Sequence, residues 1–227
     1  MSLVIASRYN DGIILASDSF VMSEREDGRI LTSQRFDRPL IIQSKRLGIV
    51  YVGSVWVYNN FIEWFKNTKY SLNNVKKISD KWAELNNYWL SNRKLELSEI
   101  SSIPLSKSIL ILANVISTPK IQVIDYKGEI QQIDSFIIAG SGSDLIKPQL
   151  TSNCLFDSTL SLGYNIEKLL LCYKIASADI AVSGIPSIGI IEKKKTISLN
   201  SEYEILWKRT LNEFYKEVKR TFFHNFG

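Results

Sequence analysis

The spacing of the apolar residues changes several times along the chain, and the order of these changes limits the folds that the chain can adopt. Short runs of strand length come first, two stretches with helical spacing follow, and both kinds of segment then recur. Strands grouped with strands and helices with helices favour an α+β fold with antiparallel sheets over a doubly wound parallel sheet. Two sheets stacked face to face, with helices on both outer faces, would bury every apolar stripe.

Ten segments have the apolar pattern and the flanking turn residues of strands. The predicted strands cover residues 2–8, 13–19, 39–43, 48–53, 108–115, 121–125, 129–133, 136–139, 187–192 and 196–199. The sequence Asn10-Asp11-Gly12 is a hairpin signal between the first two. Residues 22–35 are polar and charged, and we interpret them as a loop or an irregular hairpin.

Helical spacing marks the remaining apolar segments. Phe61, Trp64 and Phe65 share one helical face. The clearest amphipathic helix spans residues 75–89, where apolar side chains recur every three or four positions. Further helices are predicted over residues 144–151 and 166–178, and another over about 202–221 near the end of the chain. These aromatic residues are interpreted as core residues.

The scarcity of histidine and cysteine limits the possible chemistry. The one histidine, His224, is the fourth residue from the end of the sequence. A Ser-His-Asp or Cys-His hydrolase needs a positioned imidazole, and a histidine-based metal site needs more than one, so neither is expected, nor is a cofactor. Cys154 and Cys172 are too few for a disulfide scaffold, and Cys172 is predicted to be a buried small hydrophobic residue.

Length, composition and charge indicate the broad class of protein. The chain has 227 residues, of which 45% are hydrophobic, and no low-complexity tract divides it, so one domain over residues 1–227 is expected. The net charge of +5 is dispersed without a basic and aromatic stripe, which argues against nucleic-acid binding. We find no signal-peptide pattern and no apolar run of membrane-spanning length, so a cytoplasmic protein without membrane partners is expected.

Five segments between residues 2 and 191 form a pattern through their order and spacing. The segments are Ser2-Leu-Val-Ile-Ala, Asp11-Gly12 with Asp18, Ile49-Val-Tyr-Val-Gly53, Ala139-Gly-Ser141-Gly-Ser143, and Tyr173 to Gly184 with Asp179 and Ser183. Together they resemble motifs of proteasome β-subunits, which are N-terminal-nucleophile hydrolases, and of the related bacterial peptidase that works with an unfoldase ring. The resemblance implies a four-layer αββα sandwich.

The resemblance also implies roles for individual residues. Ser2 takes the nucleophile position once Met1 is removed, and its own α-amino group then serves as the general base. Asp18 takes the acidic position at the end of the second strand. Gly53 would donate its backbone N–H to the oxyanion. Ser141, with Asp179 and Ser183, would position the amino group or a water molecule.

Two departures from the family pattern bear on activity. The usual threonine nucleophile is a serine here, so the hydroxyl remains but the methyl group that restricts its rotamer is lost. The usual lysine position, before the oxyanion glycine, falls on Arg38. Arginine stays protonated and cannot relay a proton, although it can lower the pKa of a nucleophile electrostatically.

Three functions remain open from the sequence. The first is a peptidase or amidase that acts on a peptide or protein substrate, assembles into a ring and works with an ATPase or unfoldase partner. The second is a catalytically inactive subunit of the same fold with a structural role, which Arg38 and a retained Met1 would favour. The third, a small basic binding module, lacks the expected stripe. Ring formation is also predicted from aromatic residues on the helices, namely Trp56, Tyr58, Trp82 and Trp89.

Overall fold

The computed structural model describes residues 3–18, 20–24, 30–35, 41–43, 46–68, 74–92, 108–115, 118–150, 156, 158–178, 182, 186–193 and 196–199. The predicted C-terminal helix over about 202–221, His224 and Cys154 lie outside this part of the chain, as does Met1.

The described residues form twelve strands and four helices. The strands are β1 (Leu3–Tyr9), β2 (Gly12–Ser17), β3 (Phe20–Glu24), β4 (Ile30–Arg35), β5 (Ile41–Gln43), β6 (Leu47–Val52), β7 (Ile109–Val115), β8 (Pro119–Asp125), β9 (Ile130–Ile133), β10 (Phe136–Gly140), β11 (Ser187–Glu192) and β12 (Thr196–Leu199). The helices are α1 (Val55–Asn67), α2 (Val75–Asn92), α3 (Ser143–Leu150) and α4 (Leu162–Ala176).

The strands build two five-stranded antiparallel sheets and one separate hairpin. The first sheet has the order β10-β1-β2-β11-β12, and the second has the order β5-β6-β7-β8-β9. The predicted turn at Asn10-Asp11 joins β1 to β2, with Tyr9 opposite Gly12. Residues 22–35, predicted as a loop or an irregular hairpin, contribute to the pair β3–β4, whose register shifts between Ser23 and Glu24. The prediction of an α+β fold with antiparallel sheets is confirmed.

The alternation of side chains along the strands creates four layers. In β1, Leu3 and Ile5 pack in a core with α3 and α4, whereas Val4 and Ala6 pack in a second core between the two sheets. The same alternation holds in β6, where Ile49 contacts the helix side and its neighbours contact the first sheet. The order of layers is therefore helix, sheet, sheet, helix.

The aromatic residues of α1 and α2 belong mainly to the core under those helices. Tyr58 and Trp82 are fully buried there, Trp89 is partly buried, and the Trp82 ring meets the Phe61 ring edge to face at 5.5 Å. The interpretation of Tyr58 and Trp82 as surplus surface for ring formation is therefore wrong, because each contributes to this chain's own core. Trp56 is different, since it is 41% exposed and stacks on the exposed Tyr88 at 5.6 Å.

Two smaller expectations concern α4 and the membrane. Cys172 is a free cysteine that lies buried in the core between α4 and the first sheet, as predicted, and burial raises the pKa of its thiol to about 12. None of the helices in the described ranges is both long enough and apolar enough to cross a bilayer.

Candidate functional site

The start of β1 is held by three hydrogen bonds that converge on Leu3. The Leu3 N–H donates to Oδ1 of Asp18 at 3.0 Å, and the Asp18 N–H donates back to the Leu3 carbonyl at 3.1 Å. The hydroxyl of Tyr173, from α4, donates to the same carbonyl at 2.9 Å. Both oxygen lone pairs and the N–H of Leu3 are thus engaged, which fixes the backbone directly after Ser2.

The hairpin register explains why Asp18 reaches this position. Val4 pairs with Ser17, so the residue after β2 falls opposite the residue at the start of β1. Asp18 is 0% exposed. A carboxylate in such a place is retained only where partners compensate the loss of its hydration, and the Leu3 N–H is one of them. A buried acidic group is therefore hydrogen-bonded to the residue that follows the candidate nucleophile in the chain.

The Gly-Ser-Gly segment reaches the same end of β1 from the other side. β10 pairs with β1, and its last residue, Gly140, lies opposite Leu3 with a φ of +104°. Ser141 follows, and its hydroxyl oxygen is buried and makes no hydrogen bond with any group in the described part of the chain. A buried hydroxyl of this kind calls for an explanation, and a reacting group or an ordered water near it is one.

Gly142 packs tightly against α4 and the residues beyond it, which leads to a testable prediction. A Cβ atom at this position would lie 2.9 Å from Cγ2 of Val182 and 3.1 Å from Cβ of Ala176. Because both contacts are too close, Gly142→Ala should lower the free energy of unfolding by about 1–3 kcal/mol in urea titrations. Gly163→Ala is the control, because its Cβ would meet only Oγ of Ser161, at 4.0 Å, near the start of α4.

The control substitution should leave stability unchanged or raise it by up to about 1 kcal/mol, because alanine is the better helix former. Equal stabilities of the Gly142→Ala and Gly163→Ala variants would contradict the close packing of the Gly-Ser-Gly segment on α4.

Gly53 occupies the place predicted for the oxyanion glycine, between the end of β6 and the start of α1. Its φ of +129° is one that side chains rarely adopt, and a Cβ there would lie 2.6 Å from Oγ of Ser108. The buried Ser108 hydroxyl in turn donates to the Asn86 side chain of α2 at 2.8 Å. The glycine is exposed, so its backbone is accessible from solvent.

The structure thus brings Asp18 and the segment containing Ser141 together around Leu3, and it places Gly53 at the end of a strand in the facing sheet. The other predicted site residues, Ser2, Arg38, Asp179 and Ser183, lie outside the described residues.

Sequence reasoning missed one residue of this cluster, Tyr173, which lies on the apolar face of α4 that packs against the first sheet. The only available signal was the presence of a hydroxyl on that face, because a buried tyrosine oxygen needs a partner. Within the described ranges, no cluster of three histidine, cysteine or acidic side chains is suitable for a metal ion.

Comparisons with known proteins give a structural result only. No family model matches the sequence, and no curated protein matches it. Solved structures of Anbu proteins are similar over nearly the whole chain. The Gly-1 mutant of Anbu from Hyphomicrobium sp. strain MC1 has a TM-score of 0.68 and 16% identity, with 98% of this chain and 96% of that chain covered.

Two further Anbu structures are similar to the same extent. Anbu from Yersinia bercovieri, described as an ancestral beta-subunit, has a TM-score of 0.68 and 12% identity, with 96% of each chain covered. The helical assembly of the Anbu complex from Pseudomonas aeruginosa has a TM-score of 0.67 and 15% identity, with 96% of each chain covered. The chain therefore has a proteasome-like fold, and the resemblance stated from its motifs is supported at the level of fold.

Proposed function

We propose that this protein is a proteasome-like peptidase or amidase whose nucleophile is the hydroxyl of Ser2, exposed when Met1 is removed. The observation that carries the proposal is the pair of hydrogen bonds between Leu3 and the buried Asp18. A carboxylate is costly to bury and is more often found where a charge is used. Here it lies beside the backbone of the residue that follows the candidate nucleophile.

The groups available to act as a general base support an N-terminal nucleophile over a histidine-based one. With His224 as its one histidine, the chain has no other imidazole to act as a base. A free α-amino group has a pKa of about 8, so it can accept the proton of the serine hydroxyl near neutral pH without further tuning. Asp18 would stabilise the positive charge that the amino group acquires during the attack. Arg38, which takes the usual lysine position in the resemblance, would lower the pKa of the nucleophile electrostatically.

The oxyanion of the tetrahedral intermediate would be bound by the backbone N–H of Gly53. The sandwich core connects the two sides of this site, because Val4 of β1 and Val52, the residue before Gly53, belong to the same cluster between the sheets. The Ser141 hydroxyl, with Asp179 and Ser183, would hold the amino group or the water that hydrolyses the acyl-enzyme.

We also propose that the chain assembles with copies of itself, as one domain over residues 1–227. The similar protein from Pseudomonas aeruginosa forms a helical assembly, and the exposed Trp56–Tyr88 pair offers an apolar contact on the helix side. We propose that this assembly is a closed ring in the cytoplasm. An ATPase or unfoldase partner in the same compartment would supply it with protein substrate.

The decisive experiment compares two forms of the full chain that differ only in Met1. One form begins at Ser2, released by cleavage of an N-terminal fusion, and the other retains Met1, as intact mass verifies. We expect hydrolysis of small amide or peptide substrates by the first form and a rate lower by about 10²–10⁴-fold in the second, because Met1 removes the α-amine of Ser2 as a base.

A variant of the lysine position separates a weak enzyme from an inactive subunit. Arg38→Lys restores a group that can exchange a proton, so it should raise the rate of the form that begins at Ser2. If that form is inactive, and if Arg38→Lys leaves it inactive, the protein is better described as a catalytically inactive subunit with a structural role.

A further inference from the structure

We infer that Tyr173 is a positioning residue, which holds the backbone next to the nucleophile through its hydrogen bond to the Leu3 carbonyl. This inference rests on the proposed function for the role of Ser2. The hydroxyl of Tyr173 reaches from α4 across the helix–sheet boundary to β1, a separation of 170 residues along the chain. This hydrogen bond connects a helix directly to the backbone of Leu3.

The Tyr173 hydroxyl donates to a carbonyl that already accepts a backbone hydrogen bond. The Leu3 oxygen accepts from the Asp18 N–H at 3.1 Å and from the Tyr173 hydroxyl at 2.9 Å. The first bond extends the pairing of β1 with β2 by one residue beyond the end of β2. The second comes from outside the sheet, so it fixes the tilt of the Leu3–Val4 peptide toward α4. Because Leu3 N–H is bound to Asp18, both peptide planes of Leu3 are constrained.

A nucleophile at the end of a strand needs such a constraint more than one in the middle of a chain. An N-terminal residue is bonded on one side only, so the first ordered peptide determines where its side chain and amine lie. Misplacement of a reacting group by about 1 Å can reduce a rate by about 100-fold. Sites are accurate when the supporting side chains are themselves locked by packing, and Tyr173 is 0% exposed within the core under α4.

A tyrosine is not needed at this position for packing alone. The core cluster that contains Tyr173 consists mainly of aliphatic and aromatic side chains, and a phenylalanine would fill the same ring volume. The hydroxyl therefore adds only a polar atom, which would be costly to bury without its partner. Removal of the oxygen alone is thus a clean test of its role.

Tyr9 is a matched control for that test. It belongs to the same core cluster, it is buried, and its hydroxyl donates to Oε1 of Glu192 at 2.8 Å. Burial and the Glu192 carboxylate hold the pKa of Tyr9 well above its ordinary value, so its hydroxyl stays a donor over the pH range of the assays. Tyr9 lies at the opposite end of β1, six residues from Leu3.

The test compares Tyr173→Phe and Tyr9→Phe in the full chain that begins at Ser2. We expect kcat to fall about tenfold in Tyr173→Phe with KM within about twofold of the unmodified chain, because the nucleophile is misplaced and substrate binding is retained. Both substitutions should lower the thermal midpoint of unfolding to a similar extent. Tyr9→Phe should change kcat by less than about twofold.

A second measurement does not depend on activity. Hydrogen exchange of the Leu3 amide, followed by NMR, should be at least about tenfold faster in Tyr173→Phe than in Tyr9→Phe, because the local opening of β1 becomes easier. Equal exchange rates at Leu3 would overturn the inference, and so would equal losses of kcat in the two variants. An unmodified chain without hydrolysis would refute the proposed function alone, and the exchange rates would still decide the positioning role.

Discussion

In a chain that begins at Ser2, Ser2→Ala is expected to lower the hydrolysis of amide or peptide substrates by at least about 10³-fold, to the uncatalysed background. The substitution removes the attacking oxygen and leaves the α-amine, the Asp18 carboxylate and Gly53 in place. Because alanine differs from serine by this one atom, and Leu3 is held by its own hydrogen bonds, stability should change little.

The control for this prediction is Ser2→Thr. Threonine keeps the hydroxyl and adds the methyl group that restricts its rotamer, so activity should be retained or increased. A Ser2→Ala variant as active as the unmodified chain would show that the hydrolysis comes from another site or from a contaminant.

The pH profile adds an independent check on the base. A base must be deprotonated to accept a proton, so the rate should be low well below the pKa of the α-amine and should rise as the pH passes through about 8. A profile that is flat from pH 6 to 9 would argue against the α-amine as the base in the rate-limiting step.

The part of the site that follows from local rules could be predicted from the sequence. The Asn10-Asp11 turn sets the register of β1 and β2, and that register alone brings Asp18 opposite Leu3. The position of Gly53 follows in the same way, because one strand ends and one helix begins around it. These relations depend on turn length and strand period, both of which are written in the local sequence.

The rest depends on packing between distant segments. No spacing rule shows that the Tyr173 hydroxyl reaches a carbonyl at the start of the chain. The helical aromatic residues show the same limit. Trp82 and Trp56 look alike in the sequence, yet Trp82 is buried under α2 and Trp56 is 41% exposed. The relative rotation of α1 and α2 decides between them, and it is a tertiary property.

Asp18→Asn is expected to separate the chemical role of this residue from its structural one. In the unsubstituted chain the Leu3 nitrogen lies 3.0 Å from Oδ1 of Asp18. Asparagine keeps a side-chain oxygen that can accept the same hydrogen bond, so the free energy of unfolding should stay within about 1 kcal/mol of that of the unsubstituted chain. The negative charge is lost, and with it the stabilisation of the protonated amine. The rate should therefore fall by about 10²–10³-fold, which is the usual loss when one group that stabilises charge in the transition state is removed.

Two further variants complete this test. Asp18→Ala removes the acceptor as well, which leaves a buried N–H without its bond and should cost an additional 1–3 kcal/mol or so. Asp125→Asn is the matched control, because Asp125 also ends a strand and its Oδ1 accepts from the backbone N–H groups of Lys127 at 2.9 Å and Glu129 at 2.8 Å, but it lies in the second sheet. It should leave the rate unchanged.

The alternative role for Asp18 is that of an ordinary residue at the end of a strand, which needs only an oxygen in the right place. In that case Asp18→Asn would behave like Asp125→Asn, with full activity and full stability. A loss of rate without a loss of stability, confined to Asp18, is the outcome that only a functional charge explains, because the geometry of the Leu3 hydrogen bond is common to both side chains. Urea unfolding and steady-state kinetics on the same preparations measure the two quantities side by side.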